Sequence, residues 1–151
     1  MQRLFDIILS GLALVLLSPL FVFTILILLC TGDGEIFYLQ KRVGKNLTHF
    51  NIIKFVTMRK GSEFIGTGTL TIKNDPRVLF VGQFLRKTKI NELPQLINIL
   101  LGDMSIVGPR PLTENSFNLY SPDVVNQIKK IRPGLSGIGS IIFRNEENLI
   151  P

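Results

Sequence analysis

Ile7–Cys30 reads IILSGLALVLLSPLFVFTILILLC, and no charged residue stands between Asp6 and Asp33. The stretch is almost wholly Leu, Ile, Val, Phe and Ala, broken by Ser10, Gly11, Ser18, Pro19 and Thr24. An apolar run longer than about 18 residues reads as membrane-embedded. A cleaved signal fits poorly, because Asp6 offsets Arg3 and no small-residue cleavage pattern follows. A lipoprotein signal also fits poorly, since the large Leu29 precedes Cys30. A kinked spanning helix and a re-entrant hairpin remain. Pro19 removes a backbone donor near the centre and bends the helix, and Ser18 can partner the freed backbone. As a helix, Ile7–Ser18 reaches roughly 18 Å, short of a bilayer core of about 30 Å. Arg3 before the segment and Lys41, Arg42 and Lys45 after it tilt both ends toward one side. These residues alone leave the two paths open.

The rest of the 151-residue chain is one domain's worth of sequence. A single Cys excludes an intramolecular disulfide framework and a multi-Cys zinc site. The formal net charge is +6, unevenly spread. Residues 41–89 hold 11 of the 17 Lys and Arg against Glu63 and Asp75, a local net charge of +9. Beside an apolar segment, anionic headgroups and phosphorylated ligands explain this more cheaply than nucleic acid does. No nucleic-acid partner is therefore expected. The chain divides into a membrane segment with its flanks, 1–33, and a surface domain, 34–151.

Glu35–Gln40 and Thr48–Phe55 are β-rich runs around a Gly44-Lys45-Asn46 turn, which predicts a hairpin carrying His49 on its surface. Gly61–Thr71 is polar and Gly-rich, a loop. Asp75-Pro76 reads as an N-cap and first helical residue. The helix it starts would set Leu79, Phe80, Phe84 and Leu85 among Arg77, Arg86 and Lys87, an interfacial pattern. Another helix is expected from Ser121-Pro122 to Lys130. The fold class is α+β: a membrane helix, a small β-hairpin and several amphipathic helices.

Asn91-Glu92-Leu93-Pro94 opens a further helix, with Asn91 as cap and Leu93, Leu96, Ile97 and Leu100 on one face before a Gly102 stop. A helix start can equally bind phosphate, and a carboxylate there can hold Mg²⁺ beside phosphate oxygens. In Gly108-Pro109-Arg110-Pro111 two prolines restrict the loop that presents Arg110, as bidentate phosphate recognition requires. Asp103 is a metal ligand or a turn residue. Arg132-Pro133-Gly134 forms a second rigid loop, and Arg144 is a further phosphate candidate.

Gly102-Asp103-Met104-Ser105-Ile106-Val107-Gly108-Pro109-Arg110-Pro111 resembles the signature of the bacterial sugar transferases, the monotopic polyprenyl-phosphate phosphoglycosyl transferases. Arg3-Leu4-Phe5-Asp6 with Ser18-Pro19, Gln40-Lys41-Arg42-Val43-Gly44, Lys54-Phe55-Val56-Thr57-Met58, and Arg86 through Leu96 agree in order. The resemblance implies a re-entrant helix bent at Ser18-Pro19, at the cytoplasmic face of a bacterial inner membrane. It implies transfer of a sugar-1-phosphate from a nucleoside diphosphate sugar, expected to be a UDP-sugar, to polyprenyl (undecaprenyl) phosphate. Such a step initiates a lipid-linked glycan, as in exopolysaccharide biosynthesis, and requires Mg²⁺.

By the same resemblance Asn91 and Glu92 occupy the catalytic pair, with Glu92 as metal ligand. Arg86, Arg110, Lys54 and Arg144 are expected to bind substrate phosphates. These enzymes carry a nucleophilic Asp where this chain has Asn91. Direct in-line transfer, recruitment of Asp103 or another carboxylate, and loss of catalysis with a retained binding or scaffold role are the three outcomes. Ser136-Gly137-Ile138-Gly139-Ser140 also departs from the family, and the chain ends at Pro151, early for it. That end reads as a fragment or a shortened member.

Overall fold

The computed structural model describes residues 1–31, 33–64 and 75–137. The apolar stretch forms one helix, α1 (Gln2–Thr31), with Pro19 inside it. Pro19 cannot serve the carbonyl of Val15, and Ser18 Oγ donates to that oxygen instead at 2.8 Å. A window of α1 has a mean hydropathy of 2.9. Among the described residues it is the one helix long and apolar enough to cross a membrane. Leu4, Phe5, Leu12, Val15, Leu16 and Phe23 are exposed along it.

The chain continues through a hairpin of β1 (Phe37–Val43) and β2 (His49–Phe55), antiparallel with Tyr38 opposite Lys54 and Arg42 opposite Phe50. The predicted hairpin is present, with its first strand shifted toward the turn. Asn46 and Leu47 adopt left-handed backbone in that turn. His49 is on the hairpin surface, 3.7 Å from Glu114. After one 3₁₀ turn (Ser62–Phe64), the chain is next described at Asp75.

Asp75-Pro76 does not start the next helix. Asp75 Oδ1 accepts from the Arg77 N–H at 3.0 Å and from Arg77 Nε at 2.8 Å, a side-chain turn that outcompetes a helical first turn. Helix α2 (Phe80–Lys87) begins five residues later than Asp75, with Leu79 at its cap. Phe80 and Phe84, one turn apart, remain exposed.

Helix α3 (Gln95–Leu101) ends at Gly102 in left-handed backbone, the predicted stop. The short strands β3 (Ser105–Val107) and β4 (Gly134–Ser136) pair in parallel. Between them lie α4 (Glu114–Phe117) and the expected α5 (Pro122–Ile128), with Ser121 at its cap and Pro122 at its first position.

Two apolar clusters hold these elements, and both recruit α1. Ala13, Leu14 and Leu17 pack on Ile52, Leu96, Ile99 and Met104. Phe21, Ile25 and Leu28 pack with Phe55 and Leu85. A fully buried side chain such as Leu28 contributes about 1.5–3 kcal/mol, and the partly buried ones less. Polar latches fix the start of α1. The Arg3 guanidinium donates to two carbonyls in the last turn of α3, Ile99 O, which also accepts from Gly102 N, and Leu100 O. Buried Asp6 accepts from Ser105 Oγ at 3.0 Å and from Ile106 N at 3.1 Å. At the far end, Asp33 Oδ2 accepts from Lys60 N at 2.8 Å. Both ends of α1 are thus tied to the same domain.

Candidate active site

The site is assembled from three chain segments. The first is the bend after α2. Thr88 Oγ1 donates back to Phe84 O, and Lys89 then takes left-handed backbone, φ 62. A single 3₁₀ turn, Ile90–Glu92, follows before α3. The bend folds the Ile90–Glu92 turn back against α2, whose last turn carries Arg86. Asn91 therefore lies inside a turn and its side chain caps no helix, contrary to the sequence expectation. Lys89 supplies the break that an N-cap was expected to make.

The second segment is the inner face of the hairpin. Exposure alternates along β1, so Tyr38, Gln40 and Arg42 share one face while Phe37, Leu39 and Lys41 share the other. Lys54, opposite Tyr38, joins that inner face. The third segment is the Gly108–Pro111 loop. It is clasped by β4, with Gly108 N donating to Ser136 O at 3.0 Å and Gly134 N donating to Pro109 O at 2.8 Å. A Cβ on Gly108 would lie 2.4 Å from Arg132 O, and one on Gly134 would lie 2.1 Å from Gly108 N. Only glycines allow this approach. On the hairpin side Arg42 Nη1 donates to Pro111 O at 3.1 Å and Val43 N donates to Leu112 O at 3.0 Å. Arg110 is therefore carried on a loop fixed from both flanks.

Electrostatics brings the segments together. Lys54 Nζ lies 3.6 Å from Glu92 Oε1, with both side chains less than one third exposed. Burial pushes the Lys54 ammonium below its ordinary 10.5; Glu92 opposes this, and Arg42, Arg110 and Arg86 add to it. The Arg42 guanidinium is lowered by burial and next by Arg110, with Tyr38 and Glu92 opposing. Lys54 thus lies within electrostatic reach of Glu92, Arg42, Arg110 and Arg86, a formal excess of three positive charges among these five groups. Such an excess suits an anion of several charges. Asn91, next to Glu92 in the chain, is buried, and its Oδ1 accepts no hydrogen bond among the described residues.

Of the residues expected to form the site, Glu92, Arg86 and Arg110 lie within electrostatic reach of Lys54, and Asn91 adjoins Glu92 in the Ile90–Glu92 turn. Arg144 falls outside the described residues. Ser18 and Pro19 belong to α1, where Ser18 serves Val15. Asp103 stands at the opposite end of α3 from Asn91, and its Oδ2 accepts from Asn98 Nδ2 at 3.3 Å. It is a turn residue here. Arg42 and Tyr38 were not anticipated as site residues, although strand alternation from Lys54's partner would have placed both.

Among the described residues no three His, Cys, Asp or Glu side chains gather as a metal site. Glu92 supplies a carboxylate, and its chain neighbour Asn91 a buried, unserved Oδ1. That fits Mg²⁺, which commonly takes one or two carboxylates and completes its shell with substrate phosphates and water.

Comparison with known proteins follows the same outline. The model of the bacterial sugar transferase family matches residues 1–150. Exopolysaccharide production protein ExoY of Rhizobium meliloti (strain 1021) is 39% identical over 96% of this chain and 70% of its own length. Undecaprenyl-phosphate galactose phosphotransferase of Salmonella typhimurium is 36% identical over 97% of this chain and 33% of its own length. Undecaprenyl-phosphate glucose phosphotransferase of Komagataeibacter xylinus is 39% identical over 73% of this chain and 21% of its own. With the family model matched from its first residue to residue 150, and relatives this similar along nearly its whole length, the chain belongs to the bacterial sugar transferase family.

Proposed function

We propose that this protein transfers a sugar-1-phosphate from a nucleoside diphosphate sugar, most simply a UDP-sugar, to undecaprenyl phosphate. The reaction would begin a lipid-linked glycan at the cytoplasmic face of the inner membrane. The observation that carries this reading is the gathering of Glu92, Arg42, Arg110 and Arg86 within electrostatic reach of Lys54, in a chain that also carries an exposed apolar helix. The cations hold the donor diphosphate and take up charge on the departing nucleoside monophosphate. An oxygen of the lipid phosphate attacks the β-phosphorus while the bond from that phosphorus to the α–β bridging oxygen breaks. Mg²⁺, when bound by Glu92 and Asn91 Oδ1, would neutralise phosphate charge and favour that departure. Asn91 is a neutral amide and a poor nucleophile, so direct in-line transfer is the step this chain's residues support.

The apolar helix supports a membrane location, since Leu4, Phe5, Leu12, Val15, Leu16 and Phe23 are costly to leave in water. The latches at Arg3, Asp6 and Asp33 support a re-entrant path with both ends on one side. Cysteines placed singly at Gln2 and Glu35 in a Cys30→Ser background should then react with an impermeant maleimide from the same face. Reaction from opposite faces would mean that α1 spans.

Asn91 also favours a second reading, a homologue that binds the donor without turning it over. The deciding assay supplies the full-length gene product, in membrane mimetic with Mg²⁺, with a panel of UDP-sugars and undecaprenyl phosphate, and measures UMP release. Release by the native protein supports the transferase. Release only after Asn91→Asp supports the binding homologue, and release by neither removes the transferase reading.

A further inference from the structure

Arg42 has a place in the anion site that its position in a general basic run conceals. It sits on the inner face of β1 with Tyr38 and Gln40. Its two terminal nitrogens are engaged by the protein: Nη1 donates to Pro111 O at 3.1 Å, and Nη2 donates to Gln40 Oε1. Its third nitrogen, Nε, is buried and finds no acceptor among the described residues. A buried donor left unserved is costly, and Arg110, the largest charge influence on this guanidinium, repels it as well. The chain supplies Glu92 as the opposing carboxylate, already within 3.6 Å of Lys54.

From this geometry we infer that Arg42 is a phosphate-binding residue of the site. Its outer nitrogens are fixed by Gln40 and Pro111, so that the Nε–H is held ready for an oxygen of the donor diphosphate. The bond to Pro111 O adds a second duty, because it ties the loop bearing Arg110 to the same guanidinium. Two arginines from distant parts of the sequence would then grip one ligand as a unit. A planar group with two of its nitrogens fixed loses little further freedom when the third binds. The anion also relieves the repulsion between Arg42 and Arg110, so binding and loop order reinforce each other. The inference rests on the reading of the site as one for a diphosphate, and inorganic pyrophosphate is therefore the probe, since it tests the anion contact without sugar, nucleoside or lipid.

The experiment is calorimetric titration of the full chain in membrane mimetic with pyrophosphate, for the native protein and for Arg42→Gln, Arg42→Lys and Lys41→Gln. UMP release from UDP-sugars is measured in parallel. Arg42→Gln should bind pyrophosphate about ten- to a hundredfold more weakly, the usual range for one lost charge-assisted hydrogen bond. Arg42→Lys should recover at least threefold over Arg42→Gln, because the charge returns. Lys41→Gln, on the outer face, should bind as the native protein does. A thermal melt identifies any variant that fails to fold, and Arg42→Lys then carries the comparison with native protein. Native affinity in Arg42→Gln, equal losses in Gln and Lys variants, or no pyrophosphate binding by native protein overturns the inference. Weakened pyrophosphate binding without UMP release by the native protein leaves Arg42 assigned and counts only against the transferase reading.

Discussion

Replacing Glu92 by Gln keeps the side chain's size and removes the carboxylate that opposes the positive field at Lys54 and Arg42. At 3.6 Å from Lys54 Nζ, a unit-charge pair at an effective dielectric of about 20 interacts by roughly 4–5 kcal/mol. Water reaches both side chains, so the net loss of stability should be about 1–3 kcal/mol. The effect on ligand has the opposite sign. With Glu92 neutral the site gains a positive charge, and metal-free pyrophosphate should bind roughly fivefold more tightly, equivalent to about 1 kcal/mol. Mg²⁺ should then add nothing to that affinity, and UMP release should fall below detection. Urea denaturation, titration with and without Mg²⁺, and the release assay read these three effects separately. Turnover within twofold of native, or weaker pyrophosphate binding in the absence of metal, would refute the role given to Glu92.

Gly82→Ala should destabilise the chain by about 2 kcal/mol despite its gain in helix propensity. The new Cβ would stand 2.1 Å from Thr57 O and 2.8 Å from Thr57 C, backbone that cannot swing aside. An unchanged urea midpoint would show that α2 does not need this close approach. Asp6→Ala strands Ser105 Oγ and Ile106 N, and a loss of about 2–4 kcal/mol is expected. Asp6→Asn, which keeps one acceptor, should recover part of it; equal losses would point away from the hydrogen bonds. Lys54 provides the pH test. Its folded pKa lies below 10.5 through burial, so between those two values the unfolded chain binds more protons and stability rises with pH. Metal-free native protein should show that alkaline rise in its denaturation midpoint and Lys54→Met should lack it; parallel profiles would contradict it.

Local chemistry was legible wherever one segment decided its own conformation. The hairpin follows from its β-rich runs and turn residues, the end of α3 from Gly102, and the start of α5 from Ser121-Pro122. Competition between equally good local options was not legible. Asp75 could cap a helix or bond Arg77, and the arginine's guanidinium decided it. Asn91 could cap α3, but the left-handed Lys89 had already turned the chain. Long-range pairing left the weakest trace. Strands β3 and β4 have three residues each, and their parallel register depends on contact between Gly108 and Gly134. In the site, charge and rigidity pointed to Lys54, Arg86, Glu92 and Arg110. Arg42 was hidden because its role depends on which face of β1 it occupies.

The latches at the start of α1 also bear on how the protein is made. Arg3 and Asp6 find their partners 96 to 100 residues later in the chain. At a synthesis rate of about 5–20 residues per second, that is a wait of roughly 5–20 seconds. During that interval the apolar helix has left the ribosome while its acidic residue has no acceptor role to fill. In the proposed membrane location, a bilayer would be available to the helix before the domain exists to hold it. Asp6 becomes a checkpoint of assembly, satisfied only when the chain has been extended through Ile106 and has folded back onto its own beginning.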